Sequence, residues 1–107
     1  MTKMSGPNRG EVWVVDLGMA QKVRPALILN RPYSDSDRAL ISVIPHVTTL
    51  RGSIFEIQVA VPFLKSGAFL VQNPVTIPRV KAERFLGRLS LQQLVVVEAG
   101  VRNWLGL

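Results

Sequence analysis

The sequence predicts a mainly β protein, a small and strongly bent barrel or sandwich of short strands with an α-helix at its C-terminal end. Short apolar runs follow one another closely, with proline, asparagine, serine and glycine between them. Residues 90–107 differ, because their apolar side chains recur at helical spacing. A chain of 107 residues can bury one core without disulfides, so we expect a single domain over residues 1–107.

The first half of the chain contains three predicted strands. Residues 11–17 are apolar on both faces, which is typical of a central strand. Residues 23–30 carry Pro25 near their start, where a missing backbone N–H is tolerated. After a polar loop rich in turn-forming residues, residues 39–47 form the third strand, which we expect to bend at Pro45.

The clearest alternation lies in residues 54–59. Their odd-numbered side chains are apolar and share one face with Val61, whereas Glu56 and Gln58 lie on the other face. This pattern predicts a half-buried fourth strand.

Three shorter segments follow. Residues 68–72 predict a fifth strand, which Asn73-Pro74 ends. Residues 75–81 contain Pro78 and are therefore expected to be irregular or to form a sheet edge. Residues 85–89 predict a last strand.

The C-terminal segment predicts a helix. Ser90 and Gln93 have the spacing of a capping box, in which each side chain bonds the other residue's backbone N–H. The residues that then recur at helical spacing are Leu94, Val97, Val101, Trp104 and Leu105. The valine run at 95–97 and Gly100 argue against the helix, since a helical glycine costs about 1 kcal/mol relative to alanine. For Trp104, core packing is favoured over base stacking.

Composition restricts the chemistry. Thirteen Lys and Arg against seven Asp and Glu give a net charge of +6, which indicates a polyanionic partner, nucleic acid first. A solubilising surface or an acidic protein partner would also explain this charge. The chain has no cysteine, which excludes disulfides and thiol nucleophiles, and its one histidine argues against a metal site. We expect no cofactor.

The N-terminal residues 1–9 are short, polar and followed by no apolar segment, which argues against a targeting signal. The apolar runs elsewhere are strand-sized, far below the roughly 20 residues of a membrane span. We therefore expect a cytoplasmic protein with no membrane partner.

Polar residues at strand ends are the candidates for chemistry. Arg24 offers a permanently charged fork of donors suited to phosphate, or it pairs with Asp16 on the neighbouring strand. Thr48 ends the third strand beside a basic turn, where its hydroxyl binds phosphate or only satisfies turn backbone. His46 lies two residues earlier, on the same face of an unbent strand. A lone histidine is more often structural than catalytic, but this is the one side chain of the sequence suited to proton transfer near neutrality.

Three motifs in order carry a resemblance to a known family: Arg9-Gly10-Glu11-Val12-Trp13-Val14-Val15-Asp16-Leu17, Val23-Arg24-Pro25-Ala26-Leu27-Ile28-Leu29 and Ile44-Pro45-His46-Val47-Thr48-Thr49. Together they resemble the MazF/PemK family of toxin endoribonucleases, or mRNA interferases, of type II toxin–antitoxin systems. The resemblance runs along nearly the whole chain, and it is strongest in residues 9–29 and 42–57.

The resemblance implies an SH3-like barrel of the CcdB/PemK type that forms a homodimer and binds an acidic antitoxin protein. It further implies metal-independent, sequence-selective cleavage of single-stranded RNA by attack of the ribose 2′-hydroxyl on the adjacent phosphodiester. The predicted site residues are catalytic Arg24 and Thr48, RNA-binding Lys22, Thr49 and Arg51, and accessory His46 and Asp16. Arginine keeps its positive charge near neutrality, so it is better suited to stabilising phosphate charge than to acting as general base.

Two features depart from the family pattern. The first loop, residues 18–22, is short and lacks the acidic stretch that shapes the RNA groove in relatives, and Val75 stands where relatives often carry arginine. Two alternatives therefore remain open. One is a gyrase poison of the same fold, suggested by the tail Trp104-Leu105-Gly106-Leu107. The other is a barrel that binds RNA or a partner without cutting.

Overall fold

Seven β-strands and one α-helix account for most of the residues that the computed structural model describes, which are residues 6–18 and 22–107. The strands are β1 (Glu11–Asp16), β2 (Val23–Ile28), β3 (Leu40–Val47), β4 (Glu56–Ile57), β5 (Ala68–Leu70), β6 (Val75–Pro78) and β7 (Ala82–Arg88). A 3₁₀ turn at Arg79–Lys81 joins β6 to β7, and α1 (Leu91–Leu105) follows. The predicted fold class, mainly β with a C-terminal helix, is confirmed.

The strands form one antiparallel sheet in the order β4-β5-β3-β2-β1-β7, with β6 paired to β3. Two strands share one edge of β3, because β6 pairs with residues 40–43 and β5 pairs with His46 and Val47. Pro45, which has no N–H to donate, lies between these two pairings. The predicted irregularity of β3 at Pro45 therefore corresponds to a change of partner strand.

The core has two parts, because alternate side chains of a strand leave opposite faces of the sheet. Val12 of β1 and Leu27 of β2 belong to a first cluster, which α1 joins through Val97 and Val101. Val15 and the other buried residues of the opposite face form a second cluster, which β6 joins through partly buried Val75 and Ile77. The longest buried strands thus lie between two apolar layers.

The fourth strand is shorter than predicted. Only Glu56 and Ile57 pair with β5, because a turn at Ser53 occupies the residues before them. The Ser53 hydroxyl accepts the backbone N–H of Phe55 at 3.0 Å, and the Ser53 carbonyl accepts that of Glu56 at 3.1 Å. The predicted apolar face is correct, since Phe55, Ile57 and Val59 pack against the first cluster.

The later strands differ from their predictions mainly in length. The predicted edge character of residues 75–81 is confirmed, since β6 pairs with β3 alone and ends at Pro78. The last strand begins at Ala82 rather than at Phe85, because it follows the 3₁₀ turn directly and pairs along most of β1. A register shift leaves Leu86 between the pairs Val12–Gly87 and Trp13–Phe85, which is a β-bulge.

The predicted helix and its capping box are confirmed. Gln93 N donates to Ser90 Oγ at 3.1 Å, and Ser90 N donates to Gln93 Oε1 at 2.8 Å. Gly100 has a packing reason, since a Cβ there would lie 2.8 Å from the Ile57 side chain, so the glycine lets α1 approach β4. Within the described residues, no helix is long and apolar enough to cross a bilayer.

The side chain of Glu11, at the start of β1, connects three parts of the fold by hydrogen bonds. Its buried carboxylate accepts hydrogen bonds from Trp13 Nε1 at 2.9 Å, from the backbone N–H of Asn8 at 2.8 Å and from Arg88 of β7 at 2.9 Å. Burial raises the pKa of the Glu11 carboxyl, but these hydrogen bonds and the charge of Arg88 outweigh it and leave the pKa below its usual range. The ionised form therefore stabilises the fold.

We expect Glu11→Gln to destabilise the protein by about 1–3 kcal/mol, because the new amide NH₂ group cannot accept the hydrogen bonds that N–H donors make to the carboxylate at this buried position. The lowered pKa of Glu11 contributes stability that is present above the ordinary carboxyl pKa and is lost as the pH falls through the lowered value. Urea unfolding at several pH values measures both effects. Glu83→Gln, at an exposed carboxylate of β7, is the control and should change stability by less than about 0.5 kcal/mol. Equal stability of the two variants would contradict the role of Glu11.

Candidate active site

The register between β2 and β3 brings two of the predicted site residues to one edge of the sheet. Ala26 pairs with Pro45, Leu27 with Ile44 and Ile28 with Val43. Continued by two residues, this antiparallel register sets Arg24 level with Val47. The beginning of β2 and the end of β3, where Thr48 follows, therefore meet.

A pocket of about 300 Å³ lies at this edge. It is lined by Arg24, Pro25, His46, Thr48, Phe63, Leu64, Lys65 and Leu86. Three of the predicted residues, Arg24, His46 and Thr48, thus line one cavity together with Lys65, and no carboxylate is among the described lining residues. Such a cavity is suited to a phosphate group.

Asp16 lies apart from this pocket and has other contacts. Its carboxylate accepts the backbone N–H of Gly18 at 3.0 Å and lies 3.9 Å from Lys81 Nζ. In the β1–β2 register, Arg24 is opposite Val15 and Asp16 is one residue further, so the two side chains leave opposite faces of the sheet. The geometry therefore does not favour the ion pair between Arg24 and Asp16 that the sequence left open.

His46 is held in the wall of the pocket. It is 4% exposed, and its ring meets that of Phe69 edge to face with centroids 5.0 Å apart. Burial lowers the pKa of His46, because a charged imidazolium is poorly solvated there. At neutral pH the imidazole is therefore neutral and can accept a proton.

The turn that follows β3 is organised by Glu56. Its carboxylate accepts the backbone N–H groups of Arg51 at 2.9 Å, Gly52 at 2.8 Å and Ser53 at 3.0 Å. These backbone hydrogen bonds, that of Arg51 foremost, lower the pKa of Glu56. The exposed segment 48–51, which includes Thr49 and Arg51, leads from the pocket into this turn, although neither residue is among those lining the cavity.

Lys22 lies just before β2, close in sequence to Arg24. It is exposed and has a positive φ of 61°, and its backbone carbonyl accepts the N–H of Leu17 at 2.9 Å. The prediction that the short first loop affects the RNA groove concerns residues 19–21, which lie outside the described residues.

Sequence reasoning missed four residues that line the pocket from two other parts of the chain, Phe63, Leu64, Lys65 and Leu86. The bulge at Leu86 depends on the pairing register of β1 with β7, which no local sequence pattern shows. Bulges often redirect a side chain near a functional site. The one available signal was a basic residue directly before a strand, in Lys65-Ser66-Gly67.

No group of three or more His, Cys, Asp or Glu side chains in residues 6–18 and 22–107 is placed to hold a metal ion.

The lowered pKa of His46 predicts how the stability of the fold depends on pH. Because burial lowers the pKa of His46, the unfolded state takes up this proton first as the pH falls. Its contribution therefore destabilises the fold progressively from about pH 6.5 down through the lowered pKa. NMR titration of the ring protons should give a pKa below that of the urea-unfolded chain, and His46→Gln should remove this part of the pH dependence. Equal pKa values in both states would contradict this assignment.

We expect Glu56→Gln to loosen the turn at residues 51–53, because one neutral carbonyl oxygen replaces a carboxylate that serves three N–H groups. Amide hydrogen exchange at Arg51, Gly52 and Ser53 should become several-fold faster at one fixed neutral pH, with global stability little changed. Exposed Glu83→Gln is the matched control and should leave these three amides unaffected. Unchanged protection in Glu56→Gln would show that other contacts order the turn.

Comparison with solved structures places this architecture among toxins. An endoribonuclease in complex with its cognate antitoxin, from a mycobacterial species, superposes with a TM-score of 0.81 at 22% identity over 95% of this chain and 97% of that chain. The Mycobacterium tuberculosis toxin MazF-mt6 gives a TM-score of 0.76 at 29% identity over 91% and 97%. A MazE-MazF structure from Deinococcus radiodurans gives 0.77 at 20% identity over 94% and 96%.

The sequence comparisons agree with the three motifs. No curated protein matches the chain significantly. A family model does match, over residues 8–105, and its description is PemK-like, MazF-like toxin of type II toxin-antitoxin system. Because this match covers nearly all of the sequence, the chain belongs to the family of PemK-like, MazF-like toxins of type II toxin–antitoxin systems.

Proposed function

We propose that the chain is a single-domain toxin, residues 1–107, that cleaves single-stranded RNA sequence-selectively and without a metal ion. The observation that carries the proposal is the pocket in which Arg24, His46 and Thr48 meet. Family membership supports it, and so does the mycobacterial endoribonuclease of similar fold, which is in complex with its cognate antitoxin. We place the reaction in the cytoplasm, where mRNA is the substrate.

Arg24 and Thr48 act on the phosphate in this proposal. The ribose 2′-oxygen bonds to phosphorus, the bond to the 5′-oxygen breaks, and the products are a cyclic phosphate and a 5′-hydroxyl end. Negative charge grows on the non-bridging oxygens, where the Arg24 guanidinium donates two hydrogen bonds and the Thr48 hydroxyl donates one. DNA lacks the attacking hydroxyl, so the site is selective for RNA.

His46 is the proton acceptor in this proposal. The 2′-hydroxyl must lose its proton as it attacks, and the departing 5′-oxygen must gain one. Arginine is too basic to accept a proton near neutrality, whereas the buried His46 imidazole is neutral. His46 then returns this proton to the departing 5′-oxygen, while Arg24 keeps its charge and stabilises the phosphate oxygens.

Charge supports the proposed partners. The net charge of +6 attracts both an RNA chain and an acidic antitoxin protein, and the mycobacterial endoribonuclease of similar fold is in complex with its cognate antitoxin. We further propose that the toxin acts as a homodimer, as the family resemblance implies.

The gyrase-poison alternative rested on the C-terminal tail, which has structural roles here. The Trp104 ring packs edge to face on Phe55 with centroids 5.1 Å apart. Gly106 ends α1 in the left-handed conformation with φ 74°, and Leu107 N donates to Arg102 O at 2.9 Å. The tail sequence is thus explained by ring packing and by the way the helix ends. RNA cleavage therefore remains the preferred function.

The proposal predicts that the purified protein cuts RNA in excess EDTA and leaves 5′-hydroxyl ends. Arg24→Ala should lower the cleavage rate by about 10²–10³-fold, the usual cost of removing one transition-state donor, in a variant that still unfolds cooperatively in urea. Arg38→Gln removes a positive charge from an exposed residue before β3, at the end of the strand opposite Thr48, and should cut like the wild type.

Each other outcome has a distinct meaning. Full activity of Arg24→Ala would refute the site assignment. Tight RNA binding by the wild type with no product after long incubation would favour the non-cutting barrel. DNA breaks that depend on gyrase, without RNA cleavage, would favour the gyrase poison.

A further inference from the structure

Phe63 has an unusual position in the pocket wall. One side of its ring lies against the backbone of β7, since a Cβ built on Gly87 would be 2.5 Å from Phe63 Cε2 and 2.7 Å from Cδ2. No residue but glycine allows this approach. Yet Phe63 lines the pocket with Arg24 and Thr48 and is 37% exposed. A ring fixed on one side and accessible on the other is already ordered before any ligand arrives.

Lys65 lies two residues further along the same segment. It is exposed and lines the pocket with Phe63, and it also lines an adjoining groove of about 520 Å³ formed by residues 58–62 and 64–67. The segment is anchored at its far end, because a Cβ on Gly67 would overlap the backbone of Val47 at the end of β3. Lys65 therefore stands where the pocket opens into the groove.

We propose that Phe63 and Lys65 form a nucleotide subsite beside the scissile phosphate. The accessible side of the Phe63 ring stacks on one base, and the Lys65 ammonium binds the next phosphate as the strand passes into the groove. This inference rests on the proposed function, since it assumes that the phosphate bound by Arg24 belongs to a single-stranded RNA.

Two physical arguments favour this role. Stacking on an ordered ring loses little conformational entropy, because the contact with Gly87 has already fixed the ring. Aromatic side chains are the usual platforms for unpaired RNA bases, and a lysine on the same segment adds charge that tracks the backbone. The shared lining of pocket and groove by Lys65 gives the strand a continuous path.

The test uses a short RNA that the wild type cuts, made with a single 2′-deoxy sugar at the cleaved position so that it binds without reacting. We expect Phe63→Leu, which keeps an apolar contact on Gly87, to bind it about 5- to 150-fold more weakly, the range that loss of one stacked base gives. Phe63→Trp should restore binding. Phe85→Leu removes an exposed aromatic ring that contacts Trp13 outside the pocket, and it should bind like the wild type.

Lys65 is tested by salt dependence, which a merely structural role would not change. Lys65→Gln should lower the slope of log affinity against log salt concentration by about 0.7, the value for one phosphate contact of a single strand. Lys65→Arg should keep the slope, and Arg38→Gln should leave it unchanged.

The outcomes separate this subsite from the proposed function. If the wild type cuts RNA while Phe63→Leu binds unchanged and Lys65→Gln keeps its salt slope, the subsite is refuted and the nuclease stands. If the wild type neither binds nor cuts RNA, both proposals fail. Weaker binding by Phe63→Leu with rescue by Phe63→Trp supports the subsite.

Discussion

The antiparallel register between β2 and β3 is the constraint on which the candidate site depends. Ile41, Val43 and Ile44 of β3 are at most 1% exposed, and they belong to apolar clusters on both faces of the sheet. A slip of one residue would exchange the two faces and move these side chains out of their clusters. Core packing therefore fixes the register, and the register sets Arg24 level with the end of β3, beside Thr48. The site inherits its geometry from the burial of these apolar side chains.

Local sequence patterns predicted the parts of the fold whose causes are local. The strands β2 and β3 have buried side chains in continuous runs, and the capping box of Ser90 and Gln93 marks the beginning of the helix. Arg24, His46 and Thr48 could be predicted from the sequence for the same reason, since each lies at or near a strand end. The length of the fourth strand was overestimated, because alternation shows which face of a strand is buried but not which residues pair with a neighbouring strand.

The remaining features depend on contacts between distant parts of the chain. Gly100 was counted against the helix, although its missing Cβ is what lets α1 approach Ile57. Gly87 likewise accommodates Phe63, a residue more than twenty positions earlier, and this contact puts the ring into the pocket. Neither requirement leaves a periodic signal, because glycine is selected there by a neighbour's position and not by its own backbone.

The distribution of charge completes the argument. The carboxylates of Glu11, Asp16 and Glu56 lie within hydrogen-bond or ion-pair distance of Arg88, Lys81 and backbone N–H groups, respectively. No carboxylate lies among the described residues that line the pocket, and the charges that Arg24 and Lys65 bring to its wall are both positive. A protonated His46 would add a third positive charge to this wall, and burial disfavours that state. The pocket therefore combines a positive field for an incoming phosphate with a histidine that is neutral before the reaction. In the proposed reaction, electrostatic attraction and proton acceptance are carried by different residues.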